Sequence, residues 1–180
     1  MKYFKNIACP EICATSSMLL EELSNNDRLW FEDQSRQKRV QVQRHTQSIP
    51  LRAVARRVND QRATEDIHES CVTPYAALFP VTMTFLDHMA HHLNGSLERA
   101  LYVRLLPWSL VYPHIDHGAY YAVRDRYHFV IVSPAGSYLK SGDEEVVMRP
   151  GELWWFDNKA LHESANRSEE WRVHLIFDIF

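Results

Sequence analysis

The residues most able to do chemistry lie in the second half of the chain, and they are two histidines and an aspartate. His114 and Asp116 are separated by one residue in the segment PHIDHG, and His162 follows in GELWWFDNKALHESAN. In a strand, residues two apart point to the same side, so His114 and Asp116 can be aimed at one point. Two histidines and a carboxylate leave one face of an octahedral metal open, as in non-haem iron(II) oxygenases. The sequence therefore predicts an iron site formed by His114, Asp116 and His162.

A group that could bind an anion follows in the segment WRVHLIFD. Strand alternation places Arg172 on the same face as His174, and it places Arg126 beside His128 on an earlier strand. An arginine that projects into an apolar interior is costly unless it binds an anion, and its planar fork suits a carboxylate. Arg172 is therefore predicted to hold a carboxylate near the metal.

Short strands separated by turns must position these residues. Beyond Ser96 the sequence predicts eight of them, and helices are predicted before them. This order favours a mainly β fold with flanking helices, in which a double-stranded β-helix (a cupin-like jelly roll) forms the core and N-terminal α-helices pack outside it. The predicted strands are 97–106, 109–113, 126–133, 137–140, 145–148, 152–156, 161–165 and 171–179.

The N-terminal half is predicted to support this core. Apolar residues at helical spacing predict helices over 10–23 and 80–93, and residues 2–8 are weakly strand-like. The length suits one domain. We therefore expect a single dioxygenase-sized unit, with helices and edge strands in 1–96 and the jelly roll with its metal site in 97–180.

Positive charge is concentrated between residues 34 and 62. Alternating polar and apolar residues there predict exposed or edge strands over 39–43 and 48–54. The basic residues are interpreted as a solvated face that protects strand edges. A docking surface for an acidic substrate is the alternative, and nucleic acid is disfavoured because no aromatic residues lie among the arginines. The basic residues are Arg36, Lys38, Arg39, Arg44, Arg52, Arg56, Arg57 and Arg62.

Overall composition narrows the setting of the protein. The net charge of -3 and the pI of about 6.4 give no reason to expect nucleic acid or an anionic membrane as partner. Three cysteines, Cys9, Cys13 and Cys71, form no disulfide-rich pattern, and the start of the chain is charged rather than apolar. No apolar run approaches the roughly 20 residues that span a bilayer. A soluble protein of the reducing cytoplasm is expected.

Four fragments in order carry a resemblance to a known family. PHIDHG, RYHFVI, GELWWFDNKALHESAN and WRVHLIFD together resemble the aspartyl/asparaginyl β-hydroxylase family of iron(II)- and 2-oxoglutarate-dependent dioxygenases. The resemblance covers about residues 101–180, and more faintly HTQSIPLR at 45–52. It implies oxidation of 2-oxoglutarate by dioxygen to succinate and carbon dioxide, coupled to hydroxylation of a C–H bond.

The resemblance also implies roles for individual residues. At the matching positions, His114 and His162 would ligate iron, and Arg172 would pair with the distal carboxylate of 2-oxoglutarate. His128, with Arg126 two residues before it, matches the pair that approaches the other end of this co-substrate. Asn158 is a candidate hydrogen-bond partner behind the ligands.

Asp116 bears on the branch of the family and on the substrate. Animal aspartyl hydroxylases of this family lack a carboxylate at the matching position, whereas bacterial free-proline and lipid A hydroxylases keep His-x-Asp. The chain therefore resembles the bacterial branches, and its expected substrate is an amino acid or an aspartyl or asparaginyl residue in a peptide. Because the chain ends at Phe180, a lid is expected from the first 100 residues or from a second subunit of a homodimer.

Two other functions remain open from the residues alone. A cupin-like metal enzyme that does not use 2-oxoglutarate would share the metal site but would not need Arg172. A non-catalytic sensor would bind metal or 2-oxoglutarate without forming succinate.

Overall fold

The computed structural model of the protein describes residues 1–8, 15–34, 37–38 and 40–180, and these residues form an antiparallel β fold with helices on one side. In chain order the elements are β1 (Phe4–Ile7), α1 (Ser16–Ser24), β2 (Thr46–Val54), β3 (Ser70–Val72), α2 (Pro80–His92), β4 (Leu97–Leu105), β5 (Ser109–His114), α3 (Ala119–Ala122), β6 (Asp125–Val132), β7 (Ser137–Ser141), β8 (Glu144–Val146), β9 (Leu153–Phe156), β10 (His162–Asn166) and β11 (Arg172–Ile179).

The strands form two sheets, as a jelly roll requires. The larger has seven strands in the order β1-β9-β6-β11-β4-β2-β3, and the smaller has four in the order β5-β10-β7-β8. Strands that are distant in sequence are neighbours in both sheets, and every pairing is antiparallel. The predicted double-stranded β-helix is therefore confirmed.

Strand alternation divides the two central strands of the large sheet, β6 and β11, into two faces. Their odd-numbered side chains join the main hydrophobic core under α1 and α2, where the rings of Phe85 and Phe129 lie 4.5 Å apart. Their even-numbered side chains are mostly polar and, apart from Val132, face the small sheet. Both faces are therefore buried, and the polar face forms the site. The odd-numbered residues in the core are Tyr127, Phe129, Ile131, Val173, Leu175, Phe177 and Ile179.

Helix α2 begins at the predicted Pro80 and ends at His92, one residue before the predicted end. Pro80 occupies its first turn, and Asn94 adopts a positive φ of 54° just after its end. The first backbone N–H groups lack partners within the helix, and the carboxylate of Glu22 on α1 accepts two of them, from Val81 (2.8 Å) and Thr82 (2.9 Å). This contact joins the two helices that cover the large sheet.

The predicted elements in the N-terminal half have mixed outcomes. Helix α1 starts after Thr15, and the predicted helical residues 10–14 lie outside the described part of the chain. The predicted strand over 39–43 is wrong, because Gln41–Gln43 form a 3₁₀ turn and residue 39 is not described. The strand over 48–54 is confirmed as part of β2, but it lies between β4 and β3 rather than at the edge.

The basic stretch folds partly upon itself. Arg56 donates hydrogen bonds to the carbonyl oxygens of Asp60 and Arg62, both at 2.9 Å. Arg62 pairs with the Asp60 carboxylate at 2.7 Å. Arg36 and Arg39 lie outside the described residues. These contacts order a loop, and they give no support to a docking surface for an acidic substrate.

Two features bear on the setting of the protein. Cys71 is exposed and has a free thiol, whereas Cys9 and Cys13 are outside the described residues, so the expectation of a reducing compartment stays a prediction. In the part of the chain that the structure describes, no helix has both the length and the apolar character needed to cross a membrane.

Candidate active site

An irregularity in β5 aims the first candidate ligand. His114 pairs with His162 on β10, but the next matched pair is Val111 with Ser164, so β5 contains one extra residue between the two pairs. Pro113, which has no N–H to donate, lies within this bulge. Because of the bulge, Val111 and His114 both line the cavity between the sheets, although strict alternation would place them on opposite faces.

Backbone carbonyl groups fix the tautomers of both histidines. His114 Nδ1 lies 2.7 Å from the carbonyl oxygen of Tyr112, and His162 Nδ1 lies 3.0 Å from that of Ala160. A carbonyl only accepts, so each Nδ1 carries the hydrogen, and in the neutral ring Nε2 is then the nitrogen that offers a lone pair to a metal. Burial and the neighbouring His114 lower the pKa of His162 to about 4, against the opposing effect of Asp116. His162 is therefore neutral at physiological pH.

Asp116 is aimed by a loop rather than by strand alternation. Strand β5 ends at His114, and the backbone N–H of Asp116 donates to the carbonyl oxygen of Asn158 at 3.0 Å. Asn158 Nδ2 and Arg126 Nη1 both donate to Asp116 Oδ2, at 2.9 and 2.7 Å. The other oxygen, Oδ1, lies 3.8 Å from His114 Nε2. One carboxylate oxygen is thus held by the protein, and the other is turned toward the histidines.

The charge of Asp116 is favoured despite its burial. Burial raises the pKa of this carboxyl, but the nearby Arg126, His162 and Asn158 outweigh that effect and leave the pKa below its usual value. The ligand atoms of His114, Asp116 and His162 all lie within 4.8 Å of one another, and no other group of this kind occurs among the described residues. Two imidazole nitrogens and one carboxylate are a donor set that fits iron(II).

A buried ion network supports Asp116 from behind. Asp178 accepts two parallel hydrogen bonds from Arg126, at 2.8 Å from Nε and 2.9 Å from Nη2. The hydroxyl of Tyr120 donates to the same carboxylate at 3.1 Å. Burial disfavours the charge of Arg126, but Asp178 and Asp116 raise its pKa well above the usual value. Arg126 therefore forms a fixed, charged bridge between Asp178 and Asp116.

The role of Asp178 and Tyr120 in this network was missed from the sequence. Alternation along β11 places Asp178 on the same face as Arg172, which is a signal that it points inward. Its partner depends on the β11–β6 register, in which Asp178 lies opposite Arg126. The local sequence does not contain that register.

Arg172 lies at the other end of β11 and has a different environment. Its guanidinium donates to Ser164 Oγ and to His174 Nδ1, both at 3.3 Å. Among the described residues no carboxylate lies within ion-pair distance of it. Burial lowers the pKa of Arg172 to about 10, so it is still a cation at neutral pH. A buried cation without a counterion fits an anionic ligand.

Two of the three candidate metal ligands line the same cavity as Arg172. The two candidate ligand histidines contribute to its wall, as do three further polar residues of the large sheet, Arg126, His128 and His174. Phe156 is buried and also lines this cavity. His117 is exposed and is not among its lining residues. The apolar part of the wall is Val103, Leu105, Val111, Leu139, Phe156 and Ile176.

The fold and the site together define the class of jelly-roll oxygenases that use iron(II) and 2-oxoglutarate. Within that class, the family model for aspartyl/asparaginyl β-hydroxylases matches residues 20–180, so the chain belongs to the aspartyl/asparaginyl β-hydroxylase family. The resemblance carried by the four sequence fragments is confirmed. No curated protein matches the chain in sequence.

Solved structures share the fold at low sequence identity. HygX from Streptomyces hygroscopicus, solved with nickel and 2-oxoglutarate bound, has a TM-score of 0.60 and 13% identity, with 98% of this chain and 82% of that chain covered. The collagen prolyl hydroxylase of Paramecium bursaria Chlorella virus-1 has a TM-score of 0.58 and 9% identity, covering 98% and 95%. An oxidoreductase of the 2-oxoglutarate–iron(II) oxygenase family from Burkholderia pseudomallei has a TM-score of 0.55 and 12% identity, with 88% of this chain and 77% of that chain covered.

Family membership and fold agree on the reaction class. The chain is a hydroxylase of the 2-oxoglutarate- and iron(II)-dependent dioxygenases, and its reaction requires dioxygen and a substrate.

Proposed function

We propose that this enzyme hydroxylates an unactivated C–H bond of an amino acid, or of an aspartyl or asparaginyl residue in a peptide. In this proposal His114, Asp116 and His162 bind iron(II), and Arg172 binds the distal carboxylate of 2-oxoglutarate. When bound, iron and 2-oxoglutarate activate dioxygen, and the co-substrate leaves as succinate and carbon dioxide. The observation that carries the proposal is a buried, charged arginine that has no carboxylate partner among the described residues and lines the same cavity as His114 and His162.

The residues around the site would orient the metal ligands. The carbonyl groups of Tyr112 and Ala160 keep both imidazoles in the Nδ1–H form, so that each offers Nε2. Arg126 and Asn158 engage only one oxygen of Asp116, which leaves Oδ1 as a single ligand atom. The apolar wall would exclude water from the reacting centre.

Arg126 and His128, which are predicted to approach the keto-acid end of 2-oxoglutarate, have different environments. Arg126 already donates to Asp116 and Asp178, which supports a positioning role for it. His128 lines the cavity next to His174, with 3.2 Å between their Nδ1 atoms. We keep His128 as the candidate that contacts 2-oxoglutarate.

Further aspects of the proposal concern the organisation of the enzyme. We propose that residues 1–180 form one dioxygenase domain, and that residues 1–96 or a second subunit cover the cavity. The substrate is proposed to be a small molecule or a peptide rather than nucleic acid or membrane lipid, which is consistent with the net charge of -3.

The test begins with anaerobically purified, iron-loaded protein. It is incubated with 2-oxoglutarate, air and pools of free amino acids or of aspartyl- and asparaginyl-containing peptides. Succinate and a gain of one oxygen atom in a pool member are measured by mass spectrometry, and we expect both with wild type and neither with Arg172→Gln. Turnover that survives Arg172→Gln would indicate a cupin-like enzyme without 2-oxoglutarate. Tight 2-oxoglutarate binding without succinate from any pool would indicate a sensor.

A further inference from the structure

Residues 64–68 of the connection between β2 and β3, which we call the tether, lie against the loop that carries Asp116. Strand β5 ends at His114, so Asp116 lies in a short loop that continues into helix α3 at Ala119. The carboxylate of Asp66 in the tether accepts a hydrogen bond from the backbone N–H of Ala119 at 2.9 Å. This contact caps an N–H group that the helix itself leaves unpaired. A segment distant in sequence thus fixes the far end of the loop.

Backbone packing at Gly118 brings the loop and the tether into direct contact. Gly118 has a φ of 103°, and a Cβ atom at this position would lie 2.6 Å from the carbonyl oxygen of Glu65. The positive φ and the close approach both require glycine here. Because Gly118 follows Asp116 by only two residues, the contact limits the backbone freedom of the candidate metal ligand.

Two buried arginines hold the tether in place. Arg99 on β4 donates hydrogen bonds to the carbonyl oxygens of Thr64 and Ile67, at 2.8 and 2.7 Å. Arg124 donates to the carbonyl oxygen of His68 at 3.3 Å and to its Nδ1 at 3.0 Å. The side chain of Ile67 is fully buried between these contacts in the sequence. The tether is therefore anchored to the fold at both of its ends.

The same two arginines also contact Tyr120 of helix α3. Their guanidinium carbons lie 3.6 and 4.1 Å from the centre of its ring. The hydroxyl of Tyr120 donates to Asp178, which pairs with Arg126 behind Asp116. The groups that anchor the tether thus also hold the buried network that orients the metal ligand.

We propose that the tether is a positioning element for Asp116, and that Asp66 is the residue through which it fixes the loop. This inference rests on the proposed function, because it concerns the same metal site. The tether is not among the segments that line the cavity, so it acts through the loop rather than by contact with substrate or co-substrate. If docking of the tether favours metal binding, metal binding must favour docking of the tether by the same factor.

The experiment titrates the protein with cobalt(II) alone, whose visible absorption reports both the affinity and the arrangement of its ligands. Wild type, Asp66→Ala and Asp66→Asn are compared without 2-oxoglutarate. Alanine removes the acceptor, and we expect affinity to fall about fivefold, the usual effect of losing one such cap. The absorption bands should also shift, because Asp116 is no longer held in one orientation. Asparagine keeps a side-chain oxygen and should restore both affinity and spectrum.

Asp60→Ala is the matched control variant. The carboxylate of Asp60 also accepts a backbone N–H in the β2–β3 connection, from Arg62 at 3.0 Å, but its printed contacts do not reach the loop of Asp116. Cobalt(II) affinity and spectrum should therefore equal those of wild type. Asp66 is exposed, so Asp66→Ala should keep the core intact, and thermal denaturation checks that both variants are folded.

Hydrogen exchange of wild type measures the reciprocal effect without any substitution. Saturation with cobalt(II) should slow exchange of the backbone amides in the tether by a similar factor of about five. Residues 56–62 of the same connection should exchange at the same rate with and without metal. Mass spectrometry of peptides from the two segments makes the comparison within one sample.

The outcomes separate this inference from the proposed function. Wild-type cobalt(II) affinity and spectrum in Asp66→Ala, or tether exchange that metal does not slow, would overturn the inference while the proposed function stands. An equal loss of affinity in Asp60→Ala would also overturn it, since that result indicates general loosening of the connection. If Asp116→Ala binds cobalt(II) as tightly as wild type, Asp116 is not a ligand, and the proposed function fails with the inference.

Discussion

The two ends of the cavity differ in whether their polar side chains already have partners in the protein. At the metal end, hydrogen bonds within the protein fix the orientation of all three side chains. His114 and His162 donate to backbone carbonyl groups, and Asp116 accepts from Arg126. At the carboxylate end, Arg172 and His174 keep charge and hydrogen-bond capacity that the described residues do not use. In the proposed site, the metal end is thus organised before a ligand binds, whereas 2-oxoglutarate would supply the missing partner at the carboxylate end.

This difference determines how substitutions should affect stability. Breaking a buried, satisfied network leaves a charge without its partner, which destabilises a fold. Removing a buried cation that has no counterion takes away a desolvation cost and can stabilise the ligand-free fold. Function and stability should therefore change together at the metal end and in opposite directions at the carboxylate end.

The largest expected effect is at the metal ligands. His162→Ala, His114→Ala and Asp116→Ala should each abolish iron-dependent succinate formation, a loss well beyond the roughly 10–100-fold typical of residues that only support a ligand. Succinate is measured by mass spectrometry after iron loading. His117→Ala is the matched control, because this histidine is exposed beside the site and should retain activity. Full activity in any ligand variant would refute the assignment.

Arg172→Met tests the carboxylate end. Losing the charged fork should weaken 2-oxoglutarate binding by about 10–100-fold or more, the equivalent of a charge-assisted hydrogen-bond pair. The same variant should raise the free energy of unfolding of the ligand-free protein by roughly 1–3 kcal/mol. Calorimetric titration and thermal denaturation measure the two effects. The exposed Arg149 provides the control Arg149→Met, which should change neither, and a destabilised Arg172→Met would remove the contrast between the two ends.

Asp178→Asn tests whether the Asp178–Arg126 contact orients the proposed metal ligand Asp116. The amide cannot neutralise Arg126 or accept both of its hydrogen bonds, so Asp116 should lose its fixed orientation. We expect iron affinity to fall by about 10–100-fold and thermal stability to fall as well. A competition titration with a chelator measures the affinity. Asp87→Asn makes the same chemical change on the exposed side of α2 and should leave both unchanged. Wild-type iron affinity in Asp178→Asn would mean that Asp116 is oriented by its loop alone.

The contrast between the two ends also explains which parts of the site could be predicted from the sequence. Residue spacing pointed to the three proposed ligands and to Arg172. Alternation along a strand is a local property and places Arg172 toward the cavity, whereas the position of Asp116 depends on the loop after β5. The bulge that turns Val111 and His114 to one face depends on pairing with β10, and the Arg126–Asp178 contact depends on the β11–β6 register. The segment 39–43 was predicted as a strand from its alternation, but tertiary context makes Gln41–Gln43 a turn. Local chemistry was thus predictable, whereas the contacts that orient it required the fold.

The smallest expected effect concerns the charge state of His174. Burial, the positive charge of Arg172 and the neighbouring His128 hold the pKa of His174 well below its ordinary value of 6.5, so the native ring is neutral. In the unfolded chain the ring takes up a proton as the pH falls below about 6.5. Because the unfolded state then binds more protons, wild type should lose stability as the pH is lowered from 7.5 to 5.5.

His174→Gln cannot take up this proton, so its stability should fall less over the same range. Other titrating groups act in both proteins alike, and the difference between their urea midpoints therefore isolates His174. Equal losses would mean that His174 accepts a proton in the native state, in which case Arg172 could not donate to its Nδ1.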